Sequence, residues 1–368
     1  MEIRRFNNMN ASLRERYVSF WGQTLDPNFY APFRRSTSRF DCPQTTNVVV
    51  SAADNPFSYW NLFKTELLDN FFLEPSASFW AVDGAPEDPR PIACLVAASA
   101  PTDDACDGAE ATLLAPFFAA EIADADKATA ARLLIEASEN ALRAKGTRRV
   151  YAGGAPSRVD AEGYAPIGAP LLNGVYGVGS PVGLFDDDPA RKFFVDAGYE
   201  TEQNDDGAER AFIEMKIDAN SFFGNADGLP DGWRLTQGNW RASSWRLASC
   251  VRNFLNSRGF CVYGLNDDLQ AVAWVYDLVR YSPKTGAPST TTVVSRLSVR
   301  STQRGQGVGA ALVAAIVDDA TARAQATTPD AALEICAVVP DGNGAGRAFW
   351  EAQGFETGRR STPLVKTL

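Results

Sequence analysis

Residues 297–312 constrain the fold of this chain more than any other segment. They read Leu-Ser-Val-Arg-Ser-Thr-Gln-Arg-Gly-Gln-Gly-Val-Gly-Ala-Ala-Leu. A β-branched, half-apolar run (292–299) comes before the glycines, and a run with apolar residues at helical spacing (310–326) follows them. The pattern therefore predicts a strand, a glycine turn and a helix in direct succession.

A glycine turn that leads into a helix can bind an anion. Glycine has no Cβ, so backbone N–H groups can approach a ligand closely, and the first turn of the helix adds unpaired N–H groups and the positive end of its dipole. A phosphate or pyrophosphate site is the prediction, and a tight turn without a ligand is the alternative. A P-loop would need Lys and Ser or Thr after its last glycine, where Ala310 and Ala311 stand. A dinucleotide fingerprint would need two residues before its third glycine, where only Val308 stands.

The segment resembles the acetyl-CoA signature of the GNAT superfamily of N-acetyltransferases, a strand Leu-x-Val followed by Arg-Gly-x-Gly-x-Gly/Ala. The matching residues are Leu297, Val299, Arg304, Gly305, Gly307 and Gly309. A second family motif follows at 343–355, with Asn343, Phe349, Trp350, Gly354 and Phe355 in place. The residues alone predict a short helix from Asn343 that ends at Gly354, and a plain core helix would explain all but Asn343 and Trp350.

The resemblance implies an α/β fold with a mixed sheet, and acetyl-CoA as cosubstrate. It also implies a set of cofactor-binding residues, with Arg347 as an additional candidate. The set is Leu297, Val299, Arg304, Gly305, Gln306, Gly307, Val308, Gly309, Ala310, Asn343 and Trp350. The implied reaction is direct attack of an amine on the acetyl thioester, with no covalent enzyme intermediate.

The reaction needs a base for the amine and a source of a proton for the thiolate. Glu334, on the next predicted strand, is the expected catalytic base, with a surface role as the alternative. Cys336 is expected on the same face, as core or substrate lining. The family often has Tyr where Trp350 stands, and an indole cannot act as that acid. Solvent, Tyr276 or Tyr281 would then supply the proton, although strand packing also explains both tyrosines.

The N-terminal half contains a faint copy of the same plan. Residues 187–199 repeat the second motif position for position, and 128–145 form an amphipathic helix after a strand-like run at 111–115. Aligning the two helices puts Asp126, Ala128 and Ala130 where the later motif has its glycines, and carboxylates there would repel a pyrophosphate. The sequence thus predicts two tandem acyl-CoA N-acyltransferase (GNAT) folds, the first degenerate.

The predicted domains are 1–217 (degenerate), a linker at 218–232, and 233–368 (acetyltransferase). Predicted strands and helices of the first domain lie at 2–6, 12–22, 78–82, 91–98 and 150–153, with 210–217 closing it. Those of the second lie at 233–236, 243–256, 260–264, 271–281 and 332–338, together with the two motifs and a last strand. Residues 152–183 form an insertion, read either as a lid or domain contact or as a plain surface excursion.

Composition excludes several classes of protein. The chain has no histidine, which rules out a Ser-His nucleophile and a His-containing zinc site, and no metal site is predicted. Six scattered cysteines without a Cys-x-x-Cys pair indicate reduced thiols, and no apolar run approaches a membrane span.

Residues 233–368 hold 15 Lys and Arg against 10 Asp and Glu, whereas the whole chain has a net charge of −10. The basic half suits a polyanionic cofactor, and the acidic half either steers a cationic amine or docks electrostatically.

The expected function is that of a cytoplasmic N-acetyltransferase, which moves acetyl from acetyl-CoA to a primary amine of a small molecule or peptide. We expect no nucleic-acid or membrane partner, and a monomer or homodimer. A non-catalytic CoA-binding or scaffold protein is the competing hypothesis, and transfer of a larger acyl group is a third.

Overall fold

A computed structural model describes residues 1–5, 75–84, 90–99, 110–113, 116–119, 122–152, 155–156, 166–167, 184–204, 206–222, 224, 228–238, 258–281, 288–327 and 332–368. The helices predicted at 12–22 and 243–256 and most of the insertion at 152–183 lie outside these residues. The described residues form two compact units. One comprises the described residues up to Arg210 together with Ser361–Leu368, and the other comprises Ala211–Arg360.

The described strands are numbered in chain order. In the N-terminal half they are β1 (Glu2–Arg5), β2 (Phe79–Asp83), β3 (Arg90–Leu95), β4 (Ala97–Ser99), β5 (Glu110–Leu113), β6 (Phe117–Phe118), β7 (Arg149–Ala152), β8 (Ala155–Pro156), β9 (Pro166–Ile167) and β10 (Glu200–Thr201). The later strands are β11 (Phe212–Asp218), β12 (Arg234–Gly238), β13 (Arg258–Tyr263), β14 (Leu269–Tyr281), β15 (Pro288–Val299), β16 (Ala332–Pro340), β17 (Glu356–Ser361) and β18 (Leu364–Thr367).

The described α-helices are α1 (Asp124–Arg143), α2 (Arg191–Asp196), α3 (Val308–Thr327) and α4 (Gly344–Ala352). Helix α3 is apolar on most of its surface, and its buried residues pack on the second unit's sheet. Helix α1 packs in the same way on the first unit's strands, with Leu134, Ile135 and Leu142 buried. None of these helices combines the length and apolar character that spanning a membrane requires.

The same order of five strands recurs in the two units. The first unit has the strand order β4-β5-β7-β18-β10, and the second has β14-β15-β16-β11-β17 within a seven-stranded sheet. In both, the first pair is antiparallel, the second is parallel and the third is antiparallel. The strands predicted at 78–82 and 91–98 correspond to β2, β3 and β4, and β2 pairs antiparallel with β3. The internal duplication inferred from the sequence is thus a duplication of structure.

Each sheet contains one strand, called here its exchanged strand, that lies between two strands far from it in the sequence. Strand β11 pairs with β16 from Phe212↔Pro340 to Asp218↔Glu334, so it belongs to the second unit. Strand β18 lies between β10 and β7 of the first unit, from which the sequence separates it by more than 160 residues. The predicted boundaries are therefore wrong. Residues 212–217 do not close the first domain, part of the predicted linker is strand or 3-10 helix, and residues 233–368 are not a complete unit.

Candidate functional site

The central feature of the second unit is a gap between two neighbouring parallel strands. Strands β15 and β16 pair from Ser289↔Ala332 to Val294↔Ala337 and then separate. Beyond that point β15 continues its pairing with β14 as far as Val299, and β16 continues with β11 as far as Pro340. The register of β14 and β15 shifts at Trp274/Val275, which marks a β-bulge at Ser295 where the strands begin to part. The edge of residues 295–299 that faces β16 is left without a partner strand.

The glycine turn closes the end of this gap. Gly305 and Gly307 have φ of 78° and 81°, in the left-handed region that favours glycine. The Gly307 carbonyl accepts the first helical hydrogen bond, from Ala311 N at 3.0 Å, so the free N–H groups of α3's first turn follow directly. A Cβ on Gly307 would lie 3.1 Å from the Gly228 carbonyl oxygen, whereas one on Gly305 would meet no atom within 4 Å. A side chain at position 307 would therefore crowd the Gly228 backbone, whereas position 305 faces open space.

Two side chains of the turn bind its own backbone. Arg304 Nε donates to the Val299 carbonyl at 3.2 Å, and Gln306 Nε2 donates to the Thr302 carbonyl at 3.1 Å. Both residues were predicted to bind the cofactor, Arg304 through its backbone and also its side chain. In this structure both side chains hold the loop, and Arg304 binds the carbonyl of Val299, which is itself one of the predicted cofactor-binding residues.

The third glycine has a different role from the first two. Gly309 lies inside α3, where a Cβ would come within 3.0 Å of the Phe349 ring and 3.6 Å of Val299 Cγ2. Phe349 lies on α4 and contacts Trp350, with ring centroids 5.3 Å apart. Glycine at position 309 therefore lets the two motifs pack against each other.

Helix α4 forms as predicted from the second motif. Asn343 is its N-cap, and its side-chain oxygen accepts from Gly346 N at 2.9 Å. Gly354, with φ of 85°, ends the helix. Trp350 is 6% exposed and packs on Phe355, with a centroid distance of 4.7 Å. Helix capping explains the presence of Asn343, and core packing explains that of Trp350. Both residues also line the cavity described next.

A cavity of about 790 Å³ occupies the gap between the strands. Its walls are the parted strands, the glycine turn, the start of α3 and one side of α4. Nine of the eleven residues predicted to bind the cofactor line it: Leu297, Val299, Arg304, Gly305, Gly307, Gly309, Ala310, Asn343 and Trp350. Gln306 does not line it, and the Val308 side chain is buried in the core, although its backbone N–H belongs to the first turn of α3.

The described charged side chains that line the cavity are all positive. Among the described residues, its ionisable side chains are Arg296 and Arg304, with no carboxylate, thiol or phenol. The cavity therefore attracts an anion and supplies neither an acid nor a base of its own from the described residues.

The predicted catalytic base lies outside this lining. Glu334 is level with Thr291 in the paired part of the strands, three residues before β16 leaves β15 at Ala337. Its neighbours Leu333 and Ile335 are buried against α3, so Glu334 is on the opposite face of the sheet. Cys336 shares that face and is buried, but it does not line the cavity either.

The additional cofactor candidate, Arg347, is engaged elsewhere. It donates to Glu351 at 2.9 Å and to Thr357 at 3.2 Å, and it does not line the cavity. The two candidate proton donors, Tyr276 and Tyr281, lie on β14, and their side chains fall outside the described residues.

The first unit has no equivalent of the glycine turn. Arg300 N donates to the Gln270 carbonyl, and Ala119 N donates to the Ile92 carbonyl, each at 2.9 Å, so the two loops start in the same way. The first unit then enters α1 after residues 119–123, which read Ala-Ala-Glu-Ile-Ala. Its loop is three residues shorter than 300–307 and contains no glycine.

The alignment predicted for that turn needs correction. Residues Asp126, Ala128 and Ala130 lie within α1 rather than in a turn, because the helix begins at Asp124. Asp124 and Asp126 both lie in the first turn of that helix. The residues of the copied second motif form a short helix and a glycine stop. Helix α2 ends at Gly198 with φ of 85°, and Phe194 and Tyr199 stack edge to face at 5.2 Å.

Three features of the site escaped the sequence analysis. Arg296 lines the cavity, Trp274 packs against its guanidinium, and Gly228 contacts the glycine turn. Alternation along β15 could have placed Arg296 on the face opposite to Leu297. The contact of Gly228 depends on the tertiary fold and has no local signal.

Comparisons with known proteins agree with this geometry. The sequence profile of the acetyltransferase (GNAT) family matches residues 230–355. A comparison with curated protein sequences gave no match. Among solved structures, a tandem GNAT protein from the clavulanic acid biosynthesis pathway is similar over 100% of this chain and 98% of its own, with 13% identity and a TM-score of 0.54.

A second solved structure is similar at the level of the fold. It is a GCN5-related glucosamine N-acetyltransferase region in a fungal multi-domain GH3 β-N-acetylglucosaminidase. The similarity covers 99% of this chain and 38% of that chain, with 12% identity and a TM-score of 0.53. Identities this low establish the fold alone. The family match is thus confined to residues 230–355, and the chain as a whole has the tandem GNAT fold.

Proposed function

We propose that this protein is an N-acetyltransferase, which transfers acetyl from acetyl-CoA to a primary amine of a small molecule or peptide in its second unit. One observation carries the proposal. The gap between β15 and β16 opens onto a glycine turn and a helix N-terminus, and the described lining of the gap contains two arginines and no carboxylate.

The residues present fit the cosubstrate. The N–H groups of α3's first turn, with the open backbone at Gly305, would hold the pyrophosphate. The unpartnered edge of residues 295–299 would bind the pantetheine arm, and a backbone N–H there would polarise the thioester carbonyl. When bound, acetyl-CoA supplies the activated acetyl group.

The remaining chemistry is proton transfer. The new bond joins the amine nitrogen to the carbonyl carbon, the carbon–sulfur bond breaks, and the amine loses a proton. Glu334 is proposed as the acceptor of that proton. Because it does not line the cavity, it would act through water. Trp350 offers an indole N–H that can hydrogen-bond to the departing thiolate but cannot protonate it, so solvent is the proposed proton source.

The first unit is proposed not to bind acetyl-CoA. Its loop lacks the residues that correspond to the glycine turn, and Asp124 and Asp126 stand in the first turn of α1. Their carboxylates stabilise that helix end and repel a phosphate at the same place.

Calorimetric titration with acetyl-CoA tests the cofactor site. Ala310→Glu places a carboxylate in the first turn of α3, where it lines the cavity. An acidic residue there favours the helix, so the fold should be unharmed while the dissociation constant rises at least tenfold. Gly238→Glu is the matched control. It adds the same charge at an exposed position outside the cavity, with no atom within 4 Å of the new Cβ.

The expected result for the unmodified protein is one site, weakened by Ala310→Glu and unaffected by Gly238→Glu. Two equivalent sites would contradict the proposal for the first unit. Absence of binding would refute the cofactor assignment.

A second candidate is a non-catalytic CoA-binding or scaffold protein. It is favoured by one observation, the absence of an acid or base from the described lining of the cavity. Release of free thiol from acetyl-CoA in the presence of a broad panel of amines separates the two candidates. Binding without thiol release would favour the scaffold. Faster release with succinyl-CoA or longer thioesters would assign a larger acyl group.

A further inference from the structure

The glycine turn packs against a segment that neither sequence motif contains. Residues 228–233 read Gly-Leu-Pro-Asp-Gly-Trp, lie between β11 and β12, and are called the strap here. A Cβ on Gly307 would lie 3.1 Å from the Gly228 carbonyl oxygen and 3.8 Å from the Gly228 Cα. A Cβ on Gly228 would in turn lie 3.5 Å from the Gly307 carbonyl oxygen. The backbones of the strap and of the turn are therefore in direct contact.

The strap is anchored to the core of the second unit. Leu229 and Trp233 are partly buried and pack against the core that includes α3. The backbone N–H of Trp233 donates to the Pro230 carbonyl at 3.0 Å, which closes a turn, and the proline ring fixes φ at its start. Gly228 directly precedes this turn. The predicted linker thus ends in an anchored segment.

The strap contacts the glycine turn away from the cavity. Gly307 lines the cavity, whereas none of the described lining residues belongs to the strap. The Cβ direction of Gly307 instead leads to Gly228. The Gly307 carbonyl accepts the first hydrogen bond of α3, from Ala311 N, and the peptide groups that follow Gly307 carry the free N–H groups of that helix end. The position of Gly307 therefore sets the direction in which those N–H groups point.

We infer that Gly228 is a positioning residue of the cofactor site, whose backbone holds Gly307 so that the first turn of α3 can bind the pyrophosphate of acetyl-CoA. This inference rests on the proposed function. A site built from backbone N–H groups depends on their direction, and residues behind the site must fix that direction. A large side chain at position 228 would push Gly307 out of place. The unpartnered edge of residues 295–299, where the pantetheine arm is proposed to bind, would be unaffected.

The test compares three variants of the full chain. Gly228→Val adds two methyl groups to a Cβ that already has the Gly307 oxygen at 3.5 Å, whereas Gly228→Ala adds only that Cβ, at an ordinary contact distance. The φ of Gly228 lies outside the left-handed region, so neither side chain strains the backbone there. Gly238→Val is the matched control, at an exposed strand position with no atom within 4 Å of the new Cβ.

Two ligands separate an effect on the phosphates from a general loss of structure. The dissociation constant of CoA, measured by calorimetry, should rise at least tenfold in Gly228→Val and change less than twofold in Gly228→Ala and Gly238→Val. S-acetylpantetheine lacks the phosphates, so its kcat/KM in thiol release should change less than twofold in every variant. If Gly228→Val does not fold, Leu229→Ala decides, because it shortens a side chain that anchors the strap. It should raise the dissociation constant of CoA at least threefold.

The outcomes distinguish this inference from the proposed function. Unchanged affinity of folded Gly228→Val for CoA, or an equal loss with S-acetylpantetheine, would overturn the inference and leave the acetyltransferase standing. Binding of CoA without thiol release in the presence of any amine would overturn the proposed catalysis, and the calorimetric comparison would then decide the inference alone. Absence of CoA binding to the unmodified protein would overturn both.

Discussion

The ion pair between Lys366 and Glu139 yields the sharpest stability prediction. Lys366 lies on the exchanged strand β18, and its Nζ donates to both carboxylate oxygens of Glu139, at 2.9 and 2.8 Å, and to the Ala197 carbonyl at 2.8 Å. The Glu139 side chain is 8% exposed and that of Lys366 is 26% exposed. Lys366→Met would leave a buried carboxylate without its cation and a carbonyl without its donor.

The magnitude follows from this burial. Removing one partner of a buried ion pair costs about 3–5 kcal/mol, and the partial exposure of Lys366 places the expected loss near the lower limit, at about 3 kcal/mol. That corresponds to a change of roughly 150-fold in the unfolding equilibrium. Amide hydrogen exchange read by mass spectrometry on peptides of α1 and β18 would show the change as a loss of protection.

Two further variants make the reasoning refutable. Glu139→Gln combined with Lys366→Met removes the buried charge and should recover most of the lost stability. Lys192→Met is the matched control, because Lys192 and Asp196 form an exposed pair one helical turn apart in the same unit, worth less than about 1 kcal/mol. If Lys366→Met were as mild as Lys192→Met, the claim that β18 is anchored through a buried charge would be wrong.

Three more predictions follow from single contacts. Gly309→Ala should destabilise the protein by about 1–2 kcal/mol through its contact with the Phe349 ring, and in a Phe349→Leu background the same change should become neutral or stabilising in urea unfolding. Burial, with the nearby charge of Glu202, raises the pKa of Tyr151. Because its folded pKa exceeds the unfolded value of about 10, its contribution to stability is complete below pH 10 and lost above it, by up to about 1.4 kcal/mol per pH unit. Tyr151→Phe should flatten that alkaline slope in pH-dependent unfolding. Glu334→Gln should lower kcat by at least tenfold without changing the affinity for acetyl-CoA, and an unchanged kcat would remove Glu334 from the mechanism.

Local signals predicted the parts of the site that depend on local chemistry. The glycine turn between a strand and a helix, the start of α4 at Asn343 and its end at Gly354 all follow from residue type and spacing, and the structure confirms each. Those features are set within a few residues of the chain, where steric limits and unpaired backbone groups leave little choice.

Features set by tertiary contacts could not be predicted in the same way. The destination of β11 depends on which sheet edge is open, and a strand that follows β10 in the sequence looks like its natural partner. The role of Gly309 depends on Phe349, 40 residues later, and the position of Arg296 depends on where β15 and β16 separate. The alignment of the first unit failed because its turn lacks three residues, which a comparison of glycine positions cannot detect.

The exchanged strands also impose an order on biosynthesis. The first unit's sheet stays incomplete between β7 and β10 until Leu364–Thr367 have been made, about 160 residues after β10. At about 5–20 residues per second, that is a delay of roughly 10–30 s. During this delay β11 has been synthesised and β18 has not. The two strands occupy equivalent places in the two sheets, so β11 could pair at the place of β18. In a ribosome-bound chain halted before residue 364, the gap between β7 and β10 is either empty or filled temporarily by β11. The amides in the second half of α1 should be protected from hydrogen exchange only if β11 fills the gap. Hydrogen exchange measured on such stalled chains would distinguish the two cases. The second unit, whose own exchanged strand is made before the rest of its sheet, has no such wait.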